Sequence, residues 1–498
     1  MAELHLIAGI AFVVVAWLIP RSVAGTPFRL GPVLVLDAAP MAVGAALLIL
    51  LSGRPVFAGV VMFALGIGFT VADLTMRRTL REPVVFSAVS ELPQVFTHPH
   101  LYLPFAGPGL VLGGAAGAVA VAGALLLWEP PVATPRPLAA VLAAAAIVAA
   151  FRLASRQPWL GRVAALFRRL GPEGEPFADA ARLGPMAMQL VHCALARDER
   201  SRRRAELAAR AAPRPARKGG NGTMPGPVVL VQCESFFDAR RLSPELPRDL
   251  LPGFDACCDG GTYGRLAVPG WGANTMRTEF AVLTGIPESA LGYDRFNPYY
   301  ALARQPLASQ VWRLREAGYR TICLHPFDRR FFRRDLVMPV LGFDEFLGRD
   351  TLGGSRTPPY FSDPDLAAAV LRRLDGEGPR VFVFVITMGN HGPWLAPGGD
   401  AGGVPQGGEL ARYLDGLRRS DEMLRRLRDG LAARSPGAVL GLYGDHLPSL
   451  PHAFNYFGFD ESDSDYVIWS PTQPGAGRRD LPAHRLGAEI VDRVLGGH

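Results

Sequence analysis

Lysine is nearly absent from this chain. Of its 52 lysine and arginine residues, only Lys218 is a lysine. Arginine replaces it throughout, which together with 56 glycines and 44 prolines indicates the composition bias of a GC-rich genome. The net charge is +7, and the basic surplus collects around residues 197–218. Such a local surplus favours attraction to anionic lipid. Zinc-finger spacing and basic–aromatic interleaving are both missing, so we expect no nucleic-acid partner.

Cysteine is also scarce and badly spaced for cross-linking. The five cysteines include one adjacent pair and no CxxC motif. An odd number without metal-type spacing excludes a disulfide framework. Cys233 and Cys323 lie in apolar runs, where cysteine usually acts as a small buried hydrophobe.

Long apolar runs, by contrast, fill the first third of the chain. Several approach the roughly 20 residues that cross a bilayer. The first run lacks a basic start and is followed by more spans, so it is not a cleaved signal peptide. We therefore predict a five-helix transmembrane domain over residues 1–152. The predicted spans are Leu4–Ile19, Pro32–Leu51, Val56–Val71, Gly107–Trp128 and Pro137–Phe151.

Two features of this domain bear on its lipid contacts. Asp37 and Asp73 lie at the ends of spans, where we expect them at the interface rather than on a headgroup. The loop Met76–Pro104 carries Arg77, Arg78 and Arg81. It either cradles a phospholipid headgroup or rests on the membrane surface.

The distribution of arginines bears on which side of the membrane the C-terminal part lies. Five spans place the two termini on opposite sides. The arginines near the span ends, including Arg21 and Arg29, favour a cytoplasmic C-terminal part by the positive-inside rule. Long domains are translocated largely regardless of charge, which weakens this argument.

Residues 153–226 are predicted to connect two domains. Leu160–Leu170 and Pro185–Ala212 show helical spacing of apolar residues with arginine on the other face. They either lie on the membrane surface or pack on a soluble domain. Ala212–Pro227 has linker composition, and the sequon at Asn221 is interpreted as a chance match.

The remainder, residues 227–498, alternates strand-like and helical patterns. Such alternation predicts a mostly parallel sheet covered on both faces. The predicted helices are Leu307–Ala317, Asp363–Leu374 and Leu410–Leu431. The predicted strands are Val228–Cys233, Thr321–His325, Val381–Thr387, Val439–Tyr443 and Tyr466–Ser470.

Polar side chains occur where four of these strands end. They are Glu234, His325, His391 and the pair Asp445-His446. Ligands collect at the carboxyl ends of strands in open α/β sheets, so we expect these residues to converge. Carboxylate and imidazole donors suit Mn²⁺ or Zn²⁺, and Mg²⁺ less well.

A hydroxyl near such a site is supplied by the glycine-rich segment 270–280. Thr275 lies where a helix is predicted to begin, and helix N-termini favour phosphate. One interpretation makes Thr275 or Asn274 a simple N-cap. The other makes Thr275 a nucleophile, and the two roles are compatible.

Five ordered motifs after a multi-span N-terminus carry a family resemblance: CESFFD, NTMRTEF, HPFDRRFFRRD, GNHGPW and YGDH. Together they resemble the lipoteichoic acid synthase family, membrane phosphoglycerol transferases of the alkaline phosphatase/sulfatase superfamily. The similarity covers residues 227–498. It implies an α/β alkaline-phosphatase-like catalytic domain with a mostly parallel central sheet.

The resemblance also implies the roles of individual residues. Thr275 is implied as the nucleophile that carries glycerol phosphate covalently. One divalent cation, Mn²⁺ with Mg²⁺ or Zn²⁺ as the other options, is implied to bind Glu234, Thr275, Asp445 and His446. Substrate contacts are implied for His325, Arg334, His391 and Phe332, the last standing where better-known members have tryptophan.

By the same resemblance, the donor is phosphatidylglycerol and the acceptor is an envelope glycan or a glycerol phosphate polymer. The protein is then a multi-pass inner-membrane enzyme with an extracytoplasmic, periplasmic catalytic domain. One departure from the family pattern concerns recognition of glycerol: an expected serine is Leu450 here, with Ser449 one place early.

Three alternatives remain. A phosphoethanolamine transferase of the same superfamily also uses threonine. A sulfatase would require C/S-x-P-x-R, which the Thr275 segment lacks. A membrane scaffold without catalysis is the third, and the joint presence of Glu234, Thr275, Asp445 and His446 argues against it.

Overall fold

The computed structural model describes residues 1–210, 226–302, 307–353, 360–394 and 408–496. Most of the predicted linker, including Asn221 and its sequon, lies outside these ranges. The chain separates into two compact units, Met1–Arg202 and Arg203–His498. The three-part division into 1–152, 153–226 and 227–498 stays a prediction.

The described part of the first unit is helical. Five of its helices, α1, α2, α3, α6 and α7 below, are long and apolar enough to cross a membrane, which confirms the predicted helical membrane domain. Four of these five begin with proline, whose fixed φ and missing N–H suit a first helical position. A 3₁₀ turn at Phe86–Ser90 precedes α4. The helices are α1 (Ala2–Ala24), α2 (Pro32–Ser52), α3 (Pro55–Thr79), α4 (Leu92–Thr97), α5 (Pro99–Ala106), α6 (Pro108–Trp128), α7 (Pro137–Ala154), α8 (Trp159–Arg168), α9 (Pro176–Leu183) and α10 (Pro185–Arg210).

Asp37 does not lie at an open interface, as the sequence suggested. It is fully buried, and its Oδ2 accepts hydrogen bonds from Arg21 Nη1 at 2.6 Å and Trp17 Nε1 at 2.7 Å. Its Oδ1 accepts from the backbone N–H groups of Met186 and Ala187 at 2.9 and 3.0 Å. The carboxylate thus satisfies the first turn of α10 and binds it to α1 and α2.

The second unit is built on a nine-stranded sheet with the order β4-β3-β5-β1-β6-β7-β2-β8, in which β9 also pairs with β2. The five strands from β4 to β6 are parallel, and β7 runs antiparallel to both β6 and β2. The strands are β1 (Val228–Cys233), β2 (Thr262–Ala267), β3 (Arg320–Leu324), β4 (Glu345–Leu347), β5 (Val381–Ile386), β6 (Val439–Gly444), β7 (Ser464–Trp469), β8 (Gly477–Arg478) and β9 (Leu481–Pro482).

Helices cover both faces of this sheet. Four 3₁₀ turns lie at Ala239–Arg241, Glu288–Ala290, Gly292–Phe296 and Phe331–Arg333. The α-helices are α11 (Pro252–Cys258), α12 (Thr275–Thr284), α13 (Pro298–Leu302), α14 (Gln310–Glu316), α15 (Arg334–Leu341), α16 (Arg349–Leu352), α17 (Asp363–Asp375), α18 (Gly408–Arg434), α19 (Pro451–Phe457) and α20 (Ala483–Leu495).

The central strand β1 shows why the sheet is covered on both sides. Val229 and Val231 belong to a core shared with α17 and α18, whereas Val228 and Leu230 belong to a core shared with α12 and α20. Alternate side chains of a strand point to opposite faces, so an all-apolar strand needs helices on both. Parallel strands β3, β5, β1 and β6 are consecutive neighbours, and their carboxyl ends therefore meet at one edge.

Candidate metal and nucleophile site

Three possible metal ligands meet beyond the ends of β1 and β6. One ligand atom each from Glu234, Asp445 and His446 lies within 4.8 Å of the others. His446 Nε2 is 3.5 Å from Glu234 Oε1 and 3.4 Å from Asp445 Oδ2. Metal bonds of about 2.1 Å in a tetrahedral arrangement leave ligand atoms roughly 3.4 Å apart. The spacing of these side chains therefore fits one divalent cation.

The orientation of His446 is fixed by its other ring nitrogen. Nδ1 is 2.9 Å from the carbonyl oxygen of Leu447, which can only accept a hydrogen bond. Nδ1 therefore donates to this carbonyl, and Nε2 is the ring nitrogen that faces the two carboxylates. Metal-binding histidines are typically held in this way.

The two carboxylates are the strongest sign that a cation belongs here. Both are buried, and Asp445 Oδ2 has no hydrogen-bond partner among the described residues. Burial, and next the charge of Asp445, raise the pKa of Glu234 to about 8. An unpaired buried carboxylate is costly, and a bound cation would offset both the desolvation and the repulsion.

Ser235 holds the two acids in place from an uncommon backbone conformation. Its φ is 56°, in the left-handed region that non-glycine residues rarely adopt. Its N–H donates to Asp445 Oδ1 at 2.8 Å, and its hydroxyl donates to Glu234 Oε1 at 2.9 Å. The turn after β1 thus gives each carboxylate one donor and leaves the other oxygens open.

Thr275 is the first residue of α12 and is only partly buried. Its Oγ1 lies 3.3 Å from His446 Nε2, which places a hydroxyl beside the three candidate ligands. Asn274 occupies the N-cap position with a φ of 49°, yet its side chain makes no capping hydrogen bond. Its Nδ2 is buried without a partner in the described structure. Asn274 is therefore not a simple side-chain cap.

A second polar cluster lies where α12 meets α15. Arg334 is almost fully buried and binds Glu279 with two parallel hydrogen bonds, Nε to Oε1 at 2.9 Å and Nη2 to Oε2 at 2.8 Å. The remaining donor nitrogen, Nη1, is 3.2 Å from His325 Nε2. Burial, and next the Arg334 charge, hold the pKa of His325 well below its ordinary value. His325 is therefore a neutral acceptor for Arg334.

Glu279 is saturated by four donors. Besides Arg334, it accepts from the Tyr299 hydroxyl at 2.6 Å and from Gln232 Nε2 at 2.8 Å. Glu279 lies within the NTMRTEF motif, but no role is predicted for it from the sequence. The available signal was its position four residues after Thr275, on the same face of the helix.

The other two predicted substrate contacts are placed differently. The Arg334 guanidinium lies over the Phe332 ring, 5.2 Å from its centroid. His391 lies in the loop after β5, with Nδ1 2.7 Å from the Gly392 carbonyl oxygen and its ring 6.2 Å from that of Tyr360. Burial lowers the pKa of His391, and the hydrogen bond to Gly392 and then the charge of Asp445 partly offset this.

Tyr360 was not identified from the sequence. Its ring lies 6.2 Å from that of His391 and 6.0 Å from that of Phe327, and burial, followed by the Glu234 charge, raises the pKa of its phenol. Leu450, at the position where the resemblance expects serine, is fully buried in the core shared with α18. It supplies no hydroxyl to the site.

Several known proteins are similar to this chain. The family model described as Sulfatase matches residues 227–489, more than half of the chain. The Rhizobium meliloti capsular polysaccharide biosynthesis protein RkpI is 31% identical over 435 residues, which cover 84% of this chain and 78% of RkpI. A second protein of that organism, provisionally assigned to cyclic β-1,2-glucan modification, is 29% identical over 242 residues, 47% of this chain and 37% of that protein.

Among solved structures, Streptococcus pyogenes phosphoglycerol transferase GacH in complex with sn-glycerol-1-phosphate is similar to this chain. The TM-score is 0.46 and the identity 23%, over 60% of this chain and 81% of GacH. The α/β fold that the sequence resemblance implied is confirmed by the family match.

Proposed function

The chain belongs to the Sulfatase family, and on that premise we propose that it is a membrane-bound, metal-dependent phosphoglycerol transferase. The donor is phosphatidylglycerol and the acceptor is an envelope glycan or a glycerol phosphate polymer. The observation that carries the proposal is the hydroxyl of Thr275 at 3.3 Å from His446 Nε2, beside two buried carboxylates.

In the proposed reaction, Thr275 Oγ attacks the phosphorus atom of the lipid. A bond from Oγ to phosphorus forms, the bond to the diacylglycerol oxygen breaks, and the threonine proton ends on that oxygen. An acceptor hydroxyl then attacks the phosphothreonine and releases Thr275. Two displacements through one nucleophile are the usual form of covalent group transfer.

Glu234, Asp445, His446 and Thr275 would hold the divalent cation, for which Mn²⁺ is our first choice and Zn²⁺ or Mg²⁺ the alternatives. When bound, it lowers the pKa of a hydroxyl and neutralises phosphoryl charge. The chain's own residues do the rest. Ser235 fixes both carboxylates, and the Leu447 carbonyl oxygen, 2.9 Å from Nδ1, fixes the orientation of the His446 ring.

Arg334 and His325 are proposed to act at the substrate phosphate, with Glu279 holding the guanidinium in place. The Nε and Nη2 groups of Arg334 are committed to Glu279, so a phosphate oxygen is proposed to meet the guanidinium on its Nη1 side, beside His325. A guanidinium held in this way is a planar donor for phosphate. His391 is proposed to contact the glycerol or phosphate from the loop after β5, and Phe332 to pack beside Arg334.

An envelope glycan is the acceptor class that the relatives support best. One is named for capsular polysaccharide biosynthesis and the other is assigned to glucan modification. The five apolar helices make the chain a multi-pass membrane protein. We propose further that it lies in the inner membrane with the catalytic unit on the periplasmic side, where such glycans are accessible.

The test is turnover of phosphatidylglycerol by the full-length protein in vesicles, with labels on both the glycerol headgroup and the acyl chains. We expect release of diacylglycerol with Mn²⁺ and none with EDTA. Thr275→Ala should abolish release while metal binding persists, and Thr275→Ser, which keeps a hydroxyl, should retain part of the activity.

Each other outcome has a defined meaning. Full activity of Thr275→Ala would remove the covalent mechanism. Cleavage of phosphatidylethanolamine instead of phosphatidylglycerol would identify a phosphoethanolamine transferase. Failure to cleave either lipid, with metal bound, would favour the scaffold alternative.

A further inference from the structure

The segment between spans α3 and α6 has two distinct faces. On one face Val89, Leu92 and Phe96 are 68%, 51% and 77% exposed. Their spacing of three and four residues places apolar side chains on one side of a helical path. On the other face Gln94 and Leu101 are buried. We call residues 86–106 the interfacial segment.

The interfacial segment is held firmly against its own unit. Two residues before it, Val84 donates its N–H to Asp73 Oδ1 at 2.7 Å, and the Val84 carbonyl accepts from Gln189 Nε2 at 2.7 Å. Tyr102 donates its hydroxyl to Gln94 Oε1 at 3.4 Å. The exposed face is therefore a defined surface and not a frayed loop.

The position of this face determines what covers it. The interfacial segment begins a few residues after α3 ends at Thr79, and it ends directly before α6 begins at Pro108. Both helices are membrane spans by length and hydropathy, and the described part of α6 has no buried residue in its most apolar window. The exposed apolar face is thus continuous in sequence with lipid-facing helices at the water boundary, where amphipathic segments insert among acyl chains.

The charged residues next to the interfacial segment indicate which lipid headgroups it would contact. Arg78 and Arg81 are exposed at the end of α3, directly before the interfacial segment. Arg77 next to them is neutralised by Asp73, whose Oδ2 is 2.5 Å from its Nε. Exposed arginines at a membrane surface attract anionic phospholipids.

We propose that the interfacial segment is an anionic-phospholipid contact, with Val89, Leu92 and Phe96 inserted among the acyl chains and Arg78 and Arg81 at the headgroups. Two spans, α6 and α7, follow it, so the chain returns to the same membrane face before residue 155. The contact therefore lies on the face from which the rest of the chain emerges. This inference concerns binding and does not depend on the proposed reaction.

The test uses the full-length protein in vesicles, with Phe96→Trp and lipids brominated on the acyl chains. The fluorescence that this variant adds over its parent should be strongly quenched by brominated lipid and little affected by aqueous iodide. Leu92→Trp provides a second probe if the first variant does not fold. Quenching by iodide and not by brominated lipid, or by neither because a protein covers the face, would overturn the proposal.

Headgroup preference is read from the same probe in mixed vesicles. Bromine carried on phosphatidylglycerol should quench more than the same fraction carried on phosphatidylcholine. Replacing Arg78 and Arg81 together by glutamine should remove that difference while leaving total quenching by acyl bromine in place. Equal quenching by both lipids in Phe96→Trp with Arg78 and Arg81 intact would overturn the proposed preference for anionic lipid.

Discussion

Replacing Glu234 by glutamine should stabilise the metal-free protein. The buried carboxyl has a pKa of about 8 instead of its ordinary 4.5, so folding favours the protonated form. A raised folded pKa gives stability that is complete below pH 4.5 and is lost as pH rises toward 8. Each pH unit between 4.5 and 7 removes about 1.4 kcal/mol, so the glutamine variant gains about 3 kcal/mol at pH 7 and nothing near pH 4.5.

Glutamine is a suitable isostere because its carbonyl oxygen can still accept the Ser235 hydroxyl that now donates to Oε1. For a unit of about 300 residues, 3 kcal/mol corresponds to a rise of about 5 °C in the unfolding midpoint. The measurement is thermal unfolding of the purified full-length chain in EDTA at pH 4.5 and pH 7. Glu316→Gln, at an exposed position in α14, is the matched control and should shift neither midpoint.

Adding Mn²⁺ should make the parent protein more stable than Glu234→Gln, the reverse of their order in EDTA. The parent gains stability by binding the cation, whereas Glu234→Gln has lost one charged ligand and should gain much less. A variant that is no more stable than its parent in EDTA at pH 7 would refute the reasoning. A gain of equal size at pH 4.5 and pH 7 would refute it too, because the effect would then not arise from ionisation.

Two further changes test the buried ion pairs. Glu279→Gln should lower the free energy of unfolding by about 3–5 kcal/mol, because it leaves the buried Arg334 charge unpaired. The double variant Glu279→Leu with Arg334→Met removes that charge and should recover part of the loss in the same denaturation assay, since the donors of Tyr299 and Gln232 stay unpaired. No recovery would contradict the pairing argument. Asp37→Asn should destabilise the membrane unit by about 3 kcal/mol, since one carbonyl oxygen cannot accept from all four donors that now bind Asp37. Thermal unfolding in detergent measures this loss of stability. An unchanged unfolding midpoint would count against an anchoring role for Asp37.

Local pattern was sufficient to predict the scaffold of the site but not its supporting contacts. Four consecutive apolar residues, 228–231, followed by an acid three residues later located β1 and Glu234, because burial on both faces of a strand requires such an apolar run. β2 was missed, since its short run TYGRLA is only partly buried and mixes polar with apolar residues. The antiparallel direction of β7 left no trace, because pairing direction depends on connections and not on composition.

The missed polar contacts share one physical cause. Glu279 is explained by Arg334, which lies 55 residues away, and Asp37 by backbone groups 149 and 150 residues away. The sequence around an acidic residue is the same whether its carboxylate is hydrated or accepts a hydrogen bond from a residue far away in the chain. An acidic residue at the end of a membrane span is usually expected at the membrane–water interface. Only the tertiary structure shows that Asp37 is buried instead.

Helix α12 links the parts of the site to one another. Thr275 faces His446, the Thr278 hydroxyl donates to the Asp445 carbonyl oxygen at 2.6 Å, and Glu279 binds Arg334. Little more than one helical turn therefore sets the distances between Thr275, the proposed nucleophile, the loop after β6 and the Arg334 guanidinium, which is proposed to face the phosphate. Since none of the three can move without the others, we expect the transferred headgroup to be selected elsewhere. The loop after β5, which carries His391, makes none of these three contacts and is free to differ without disturbing Thr275.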